Sequence, residues 1–195
     1  MIIRDARTLK FDPKTAVFFD TNVWLSLFPA TETASYQKDW ARYYTALYER
    51  LIKYNVPIVI NPMVLSEYIN RFCRIEHEAY CKGTGFLEYK DFRSTDDFSY
   101  VASAASDSAK EILSTPAILI RGVDADLRLC DMIDKFATGR MDFNDCLYVK
   151  ECLKNQWPLI TNDSDFGYSD MDIEVWTAND NLINFARKHR MFQRG

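Results

Sequence analysis

The chain of 195 residues carries 28 Asp and Glu against 24 Lys and Arg, a formal net charge of −4. Any nucleic-acid partner must therefore be held by a local basic patch or a bound cation rather than by overall charge. Hydrophobic residues at 48% and charged residues at 27% are the balance of a globular protein, which excludes disorder, collagen, a coiled coil and, with no apolar run near ~18–20 residues, a membrane span.

In chain order, the apolar run 16–19 (Ala16, Val17, Phe18, Phe19) reads as a first strand, buried on both faces. A helical stripe follows at Trp40, Tyr43, Tyr44, Leu47, Leu51 and Tyr54, then a second strand at 57–60 and a second stripe at Val64, Tyr68, Phe72, Ile75 and Ala79. Residues 82–97, with Gly83, Gly85 and scattered charge, are weakly patterned, and the Ala- and Ser-rich stretch 100–114 is helical. Together they are taken as a helical insertion at about 82–116 within a single domain spanning 1–195. A third strand is expected at 117–120, helices at 124–137 and 143–154, strands at 158–160 and 173–176, and a last helix at 181–190. Strands alternating with helices imply an α/β fold, a parallel sheet covered on both faces.

In such a sheet ligands bind outside the carboxyl ends of the strands, so the residues closing each strand are the ones to inspect. The first strand closes on Asp20, Thr21 and Asn22; the second leads through Asn61 to Glu67; the fourth closes on Thr161, Asn162, Asp163, Ser164 and Asp165. Asp142 and Asp145 open the helix leading into that fourth strand. Two like charges ~4 Å apart at an effective dielectric near 20 repel by about 4 kcal/mol, so clustered carboxylates need raised pKa values or a cation. Mg²⁺ and Mn²⁺ take oxygen ligands and suit attack on a phosphodiester. Each residue also has a plainer reading. Asp20 can cap the next helix. Glu67 falls on the polar face of its helix, four residues before Arg71, and taken alone reads as a surface ion pair. Asp142 and Asp145 fit a capping box as well as a ligand pair, and 161–165 fits Asx-turn chemistry. Their joint placement at one sheet edge is what these readings leave unexplained.

The order of these motifs resembles the PIN-domain family of metal-dependent ribonucleases, which includes the toxins of toxin–antitoxin pairs. The resemblance is carried by residues 17–25, by Val64, Leu65, Ser66 and Glu67, by Asp142 to Leu147, and by Leu159 to Phe166. It implies a three-layer α/β/α fold with a central parallel sheet of about five strands in the order 3-2-1-4-5, which makes Asp20 and Asp163 neighbours. Asp20, Glu67, Asp145 and Asp163 then match the family's four acids, with Asp165 the alternate to Asp163 and Asp142 a second-rank candidate. Thr21 or Asn22 would orient Asp20, and Thr161 would support the far side. The resemblance implies one or two Mg²⁺ or Mn²⁺ ions and hydrolysis of RNA, single-stranded or structured, to a 5′-phosphate and a 3′-hydroxyl. An antitoxin protein and a second copy of the chain are the further partners it suggests; no membrane is among them. The extra length, chiefly between Cys73 and Asp126, departs from the compact toxins of the family.

Two other readings compete. Haloacid-dehalogenase-like phosphatases also place an Asp after the first strand, but they require a second acid where this chain has Asn22. A catalytically silent PIN-like scaffold that binds RNA or protein is the stronger rival, and metal-dependent cleavage separates the two. Five cysteines without paired spacing, in a chain whose start is broken by Arg4 and Asp5, point to reduced thiols and a cytoplasmic location. Cys73, His77 and Cys81 share one helix stripe, but three ligands on successive turns are spread too far for one zinc ion. Cys130, Cys146 and Cys152 are expected in the core, and His189 in a basic segment at a helix C-terminus.

Overall fold

The structure is a computed structural model that describes the chain except residues 9–11, 13, 31–39, 124–127, 170 and 194–195. The strands β1 (Ile2–Asp5), β2 (Val17–Phe19), β3 (Ile58–Ile60), β4 (Ile118–Ile120), β5 (Leu159–Ile160), β6 (Glu174–Thr177) and β7 (Phe192–Gln193) form one sheet in the order β4-β3-β2-β5-β6-β1-β7. Every neighbouring pair is parallel. The five expected strands are β2 to β6, and they lie side by side in the expected order. The sheet has seven strands rather than about five because β1 and β7 extend it beyond β6. Residues in β1 pair with β6 on one side and β7 on the other, burying Ile3 completely.

Successive residues of a strand face opposite sides, so the full burial of Val17, Phe18 and Phe19 shows that both faces of β2 are covered. Ile58, Val59, Leu159 and Ile160 are equally enclosed, and each such side chain contributes about 1.5–3 kcal/mol of transfer free energy. Strand β4 departs from the expected burial: it is an edge strand with β3 alone beside it, and Ile120 is 61% exposed.

The helices are α1 (Thr21–Leu27), α2 (Ala41–Lys53), α3 (Pro62–Thr84), α4 (Tyr89–Phe92), α5 (Asp96–Ser114), α6 (Leu129–Phe136), α7 (Phe143–Asn155) and α8 (Asp180–Lys188). Strand β2 passes into α1 with Asp20 as the sole joint. Strand β3 passes into α3 through Asn61, whose side chain accepts from the Val64 amide while Pro62 supplies a first helical residue that has no amide hydrogen to satisfy. The Tyr44, Leu47 and Leu51 stripe of α2 and the Val64, Tyr68 and Phe72 stripe of α3 are buried as their spacing predicts, whereas Tyr54 lies past the end of α2 and is 53% exposed. The weakly patterned stretch contains α4, whose Phe92 is buried among His77, Tyr80, Tyr89 and Phe98, and α5 begins at Thr95, which caps the Phe98 amide. The expected helix start at Asp124, and Asp126 with it, lie outside the described residues; α6 runs from Leu129. No helix among the described residues is long and apolar enough to cross a membrane.

The crossovers from β2 run towards β3 and β4 on one side, while β5 leads to β6 on the other. The β2–β5 boundary is therefore the switch point of the sheet, where a crevice opens at the carboxyl edge.

Candidate active site

Asp20 closes β2 at that switch point. It occupies the N-cap position of α1, but its side chain makes no capping bond. Its Oδ2 instead accepts from Thr161 Oγ1 and Asn22 Nδ2, both at 2.6 Å, and the residue is 5% exposed. The hydroxyl of Thr161 also accepts from the Asp163 amide at 2.9 Å and from Asn22 Nδ2 at 3.2 Å, while Asn22 Oδ1 accepts from the Asn162 amide at 3.1 Å. The side chain of Asn22 thus holds Asp20, and that of Thr21 does not; the Thr21 hydroxyl is buried beside Tyr148 and meets no hydrogen-bond partner of good geometry among the described residues. The β5 exit is braced from behind by Tyr44, which donates to the Thr161 carbonyl at 2.7 Å and accepts from the Ala178 amide at 3.0 Å. Sequence reasoning placed Tyr44 in an apolar stripe and missed this use of its hydroxyl.

Glu67 does form the expected i,i+4 pair, with Arg71 Nη1 3.6 Å from its Oε1. Its other oxygen is taken by α7: Tyr148 donates to Oε2 at 2.7 Å and Asn144 Nδ2 at 3.1 Å. Both donors lie more than seventy residues away in the chain and left no local signal. With Pro62, Met63, Ser66 and Asn70, Glu67 and Asn144 line an open depression of about 400 Å³. A larger cavity of about 570 Å³ lies farther along α3, beside Glu76, Tyr80, Phe92 and Tyr100, away from these acids.

At the start of α7, Asp142 is the cap: its Oδ1 accepts from the Asp145 amide at 2.9 Å. Asp145 returns no such bond, and its carboxylate accepts no hydrogen bond among the described residues. At the fourth acid, Asp163 Oδ1 accepts from the Asp165 amide at 2.9 Å, an Asx turn, and Asp165 starts a short 3₁₀ turn (Asp165–Tyr168) with its side chain exposed.

The electrostatics show which acids share a site. Burial pushes Asp20 up to about 7 even though the Thr161 hydrogen bond opposes it, and the charges of Glu67 and Asp163 add to the rise. Asp145 is pushed up to about 9, first by burial and then by Asp20, Asp142, Asp163 and Glu67. Asp165 is raised by burial and by Asp163 and Asp142. The charges of Glu67 and Asp163 thus reach both Asp20 and Asp145, Asp142 acts on Asp145 more strongly than either, and Asp165 responds to Asp163 and Asp142 but reaches neither Asp20 nor Asp145 among the described interactions.

The PIN-domain family profile matches residues 17–170. The chain belongs to the PIN-domain family. PIN domains are generally nucleases that use divalent metals and act on RNA. The crystal structure of PAE2754 from Pyrobaculum aerophilum is similar to this PIN protein, with 16% identity over 90% of this chain and 91% of that one and a TM-score of 0.49. No curated protein matches the chain.

The donor set of this PIN domain fits the family's metal. Four carboxylates supply oxygen alone, the chemistry of a hard divalent cation, and the raised Asp20 and Asp145 mark charge that a cation would offset. As the side chains stand, no three His, Cys, Asp or Glu among the described residues form a group that could hold an ion together. The Cys73, His77 and Cys81 stripe is not such a group either. The Nε2 of His77 lies 2.7 Å from the Leu87 carbonyl and 3.3 Å from Cys81 Sγ, so the pair pins the turn after α3. Cys146 and Cys152 are in the core as expected, but Cys130 is exposed because α6 buries only Met132. His189 follows α8 as its C-cap, its ring 4.3 Å from that of Phe185.

Proposed function

We propose that this protein is an endoribonuclease in which Asp20, Glu67, Asp145 and Asp163 hold one or two Mg²⁺ or Mn²⁺ ions for hydrolysis of RNA phosphodiester bonds. The observation that carries the reading is Asp145: a half-buried carboxyl raised to about 9 by burial and by the charges of the other three acids and Asp142. A purely structural edge would not gather acids from a strand end, two helices and a second strand end at the sheet's switch point. When bound, the ion supplies charge neutralisation at the phosphate and a lowered pKa for the attacking water.

The chain's own residues do the rest. Thr161 and Asn22 fix Asp20 in one rotamer, so its free oxygen is presented without reorganisation. Tyr44 and the side chain of Asn179, whose Nδ2 donates to the Asn162 carbonyl at 2.7 Å, hold the loop that carries Asp163. The paired β2 and β5 thereby keep Asp20 and Asp163 just beyond the ends of adjacent strands. A role as the toxin partner of an antitoxin, and the reading of 82–116 as an insertion in one domain, belong to the same proposal.

Purified protein incubated with single-stranded RNA tests it. Cleavage is expected with Mg²⁺ or Mn²⁺ and none in EDTA, with 5′-phosphate products. Undiminished cleavage in chelator with a cyclic phosphate product would overturn the metal mechanism. Cation-responsive RNA binding without cleavage would favour the silent scaffold.

A further inference from the structure

Glu67 is held differently from the other acids. Asn144 and Tyr148, four residues apart and so on one face of α7, both donate to its Oε2. Tyr148 is fully buried and packs against Phe18, the ring centroids 5.4 Å apart, so its hydroxyl is delivered from a fixed ring. Oε1 meets only Arg71 at 3.6 Å among the described residues, which is beyond hydrogen-bond distance.

We infer that Tyr148 and Asn144 form a clamp that leaves Glu67 a single free oxygen, Oε1, and that this one-oxygen presentation selects a small octahedral cation, Mg²⁺ or Mn²⁺, over Ca²⁺. The inference rests on the reading of Glu67 as a cation ligand given above. Ca²⁺ surrounds itself with about 6–8 oxygens and takes carboxylates through both oxygens, whereas Mg²⁺ holds to a near-ideal octahedron with single contacts. Bidentate ligation by Glu67 would require Oε2 to give up both donors, leaving the buried Tyr148 hydroxyl without its acceptor, and a buried polar group stripped of its partner costs about 1–3 kcal/mol. Tyr148 is thus a positioning residue: it acts through Glu67 and touches neither ion nor RNA.

Thermal unfolding of the full chain, titrated with MgCl₂, MnCl₂ or CaCl₂ in the absence of RNA, reads cation binding independently of activity. Tyr148→Phe keeps the ring and its packing while removing the donor. It is expected to raise the affinity for Ca²⁺ relative to Mg²⁺ by about tenfold, a ratio towards the low end of what an unpartnered buried hydroxyl costs, and Tyr148→Phe with Asn144→Ala by more. A Ca²⁺-to-Mg²⁺ ratio unchanged in both variants overturns the clamp, as does a loss of affinity shared equally by all three ions, the signature of a merely structural tyrosine. Asp20→Asn is the reference: it should weaken all three ions at a constant ratio. If Asp20→Asn binds them like the parent, the four-acid reading fails, whatever Tyr148→Phe does.

Discussion

At the β2–β5 junction the carboxylate of Asp20 is gripped by Thr161 and Asn22, and the loop beyond is tied to Tyr44 and Asn179, whereas at the start of α7 Asp145 sits among the same charges with no donor of its own. The pKa values follow that difference, about 7 for the gripped acid and about 9 for the other. Adjacent strands of one sheet hold their ends in fixed register, so short polar side chains can close a ring of hydrogen bonds there. The start of α7 brings the charge of Asp145 to that edge without such compensation, whereas Glu67 on α3 is met by Tyr148 and Asn144. In this site rigidity lies at the strand ends and electrostatic strain at the helix ends.

The largest effects should come from removing those acids. Asp20→Asn and Asp145→Asn should each lower RNA cleavage by about a thousandfold or more, in the range seen when an interaction essential to the transition state is lost. Metal-free thermal stability should hold level or rise in both, because Asn removes the cost of keeping each carboxyl protonated, or of charging it, in the folded site. The rise should be greater for Asp145→Asn, since Asp20 also gives up charge-assisted bonds from Thr161 and Asn22. An equal or greater gain at Asp20 would show that the strand-end ring does not stabilise its carboxylate.

The fourth acid gives a sharper contrast over two residues. Asp163 acts on both Asp20 and Asp145, while Asp165 is exposed. Asp163→Asn is expected to reduce cleavage by about a hundredfold or more, and Asp165→Asn by no more than about threefold. The reverse order would move the site outward along the 3₁₀ turn.

Stability against pH should show both halves in sequence. A carboxyl raised above its ordinary value binds its proton more tightly in the folded chain than in the unfolded one. The stability it contributes is full below the ordinary carboxylate range, near 3.8, and is lost as pH rises through the folded value. Metal-free melting temperature should therefore fall from the ordinary carboxylate range upward, more steeply to about 7 while Asp20 and Asp145 both contribute and more shallowly from there to about 9 while Asp145 alone does, on a background of other titrations. The upshift produced by Mn²⁺ should grow over the same window, because ligands bind the ion deprotonated. Asp145→Asn should make the fall shallower below about 7 and abolish it between about 7 and about 9. A melting temperature that rises from pH 6 to pH 9 without metal would contradict the assignment.

The smallest effect is expected at Asp142, which caps α7 through the Asp145 amide. Asp142→Ala should cost about 1 kcal/mol of stability, and Asp142→Asn only a few tenths, with cleavage by the Asn variant within about threefold of the parent. A hundredfold loss in Asp142→Asn with unchanged stability would make Asp142 a ligand instead of a cap.

What was legible in the sequence follows from where local pattern and tertiary environment agree. The central strands are enclosed on both faces, so unbroken apolar runs such as 17–19 and 58–60 announce them, and the acids at their ends stand out against that background. Strands β1 and β7, of four and two residues, carry no comparable run; β1 adds to the edge of β6 and β7 to the edge of β1. A helix stripe shows that Tyr44 and Val64 face inward, but not that a tyrosine hydroxyl reaches the backbone of another element. The motif order carried the family resemblance and the strand order, and it nominated Asp20, Glu67, Asp145 and Asp163 with Asp165 as alternate. Whether Asp20 caps or faces the cleft, which of Asp142 and Asp145 caps α7, and which donors hold Glu67 were decided by tertiary structure alone. Each of those outcomes depends on a partner brought near by sheet register or helix packing, across up to 141 residues of chain, and a carboxylate's role is set by the donors and charges around it rather than by its neighbours in sequence.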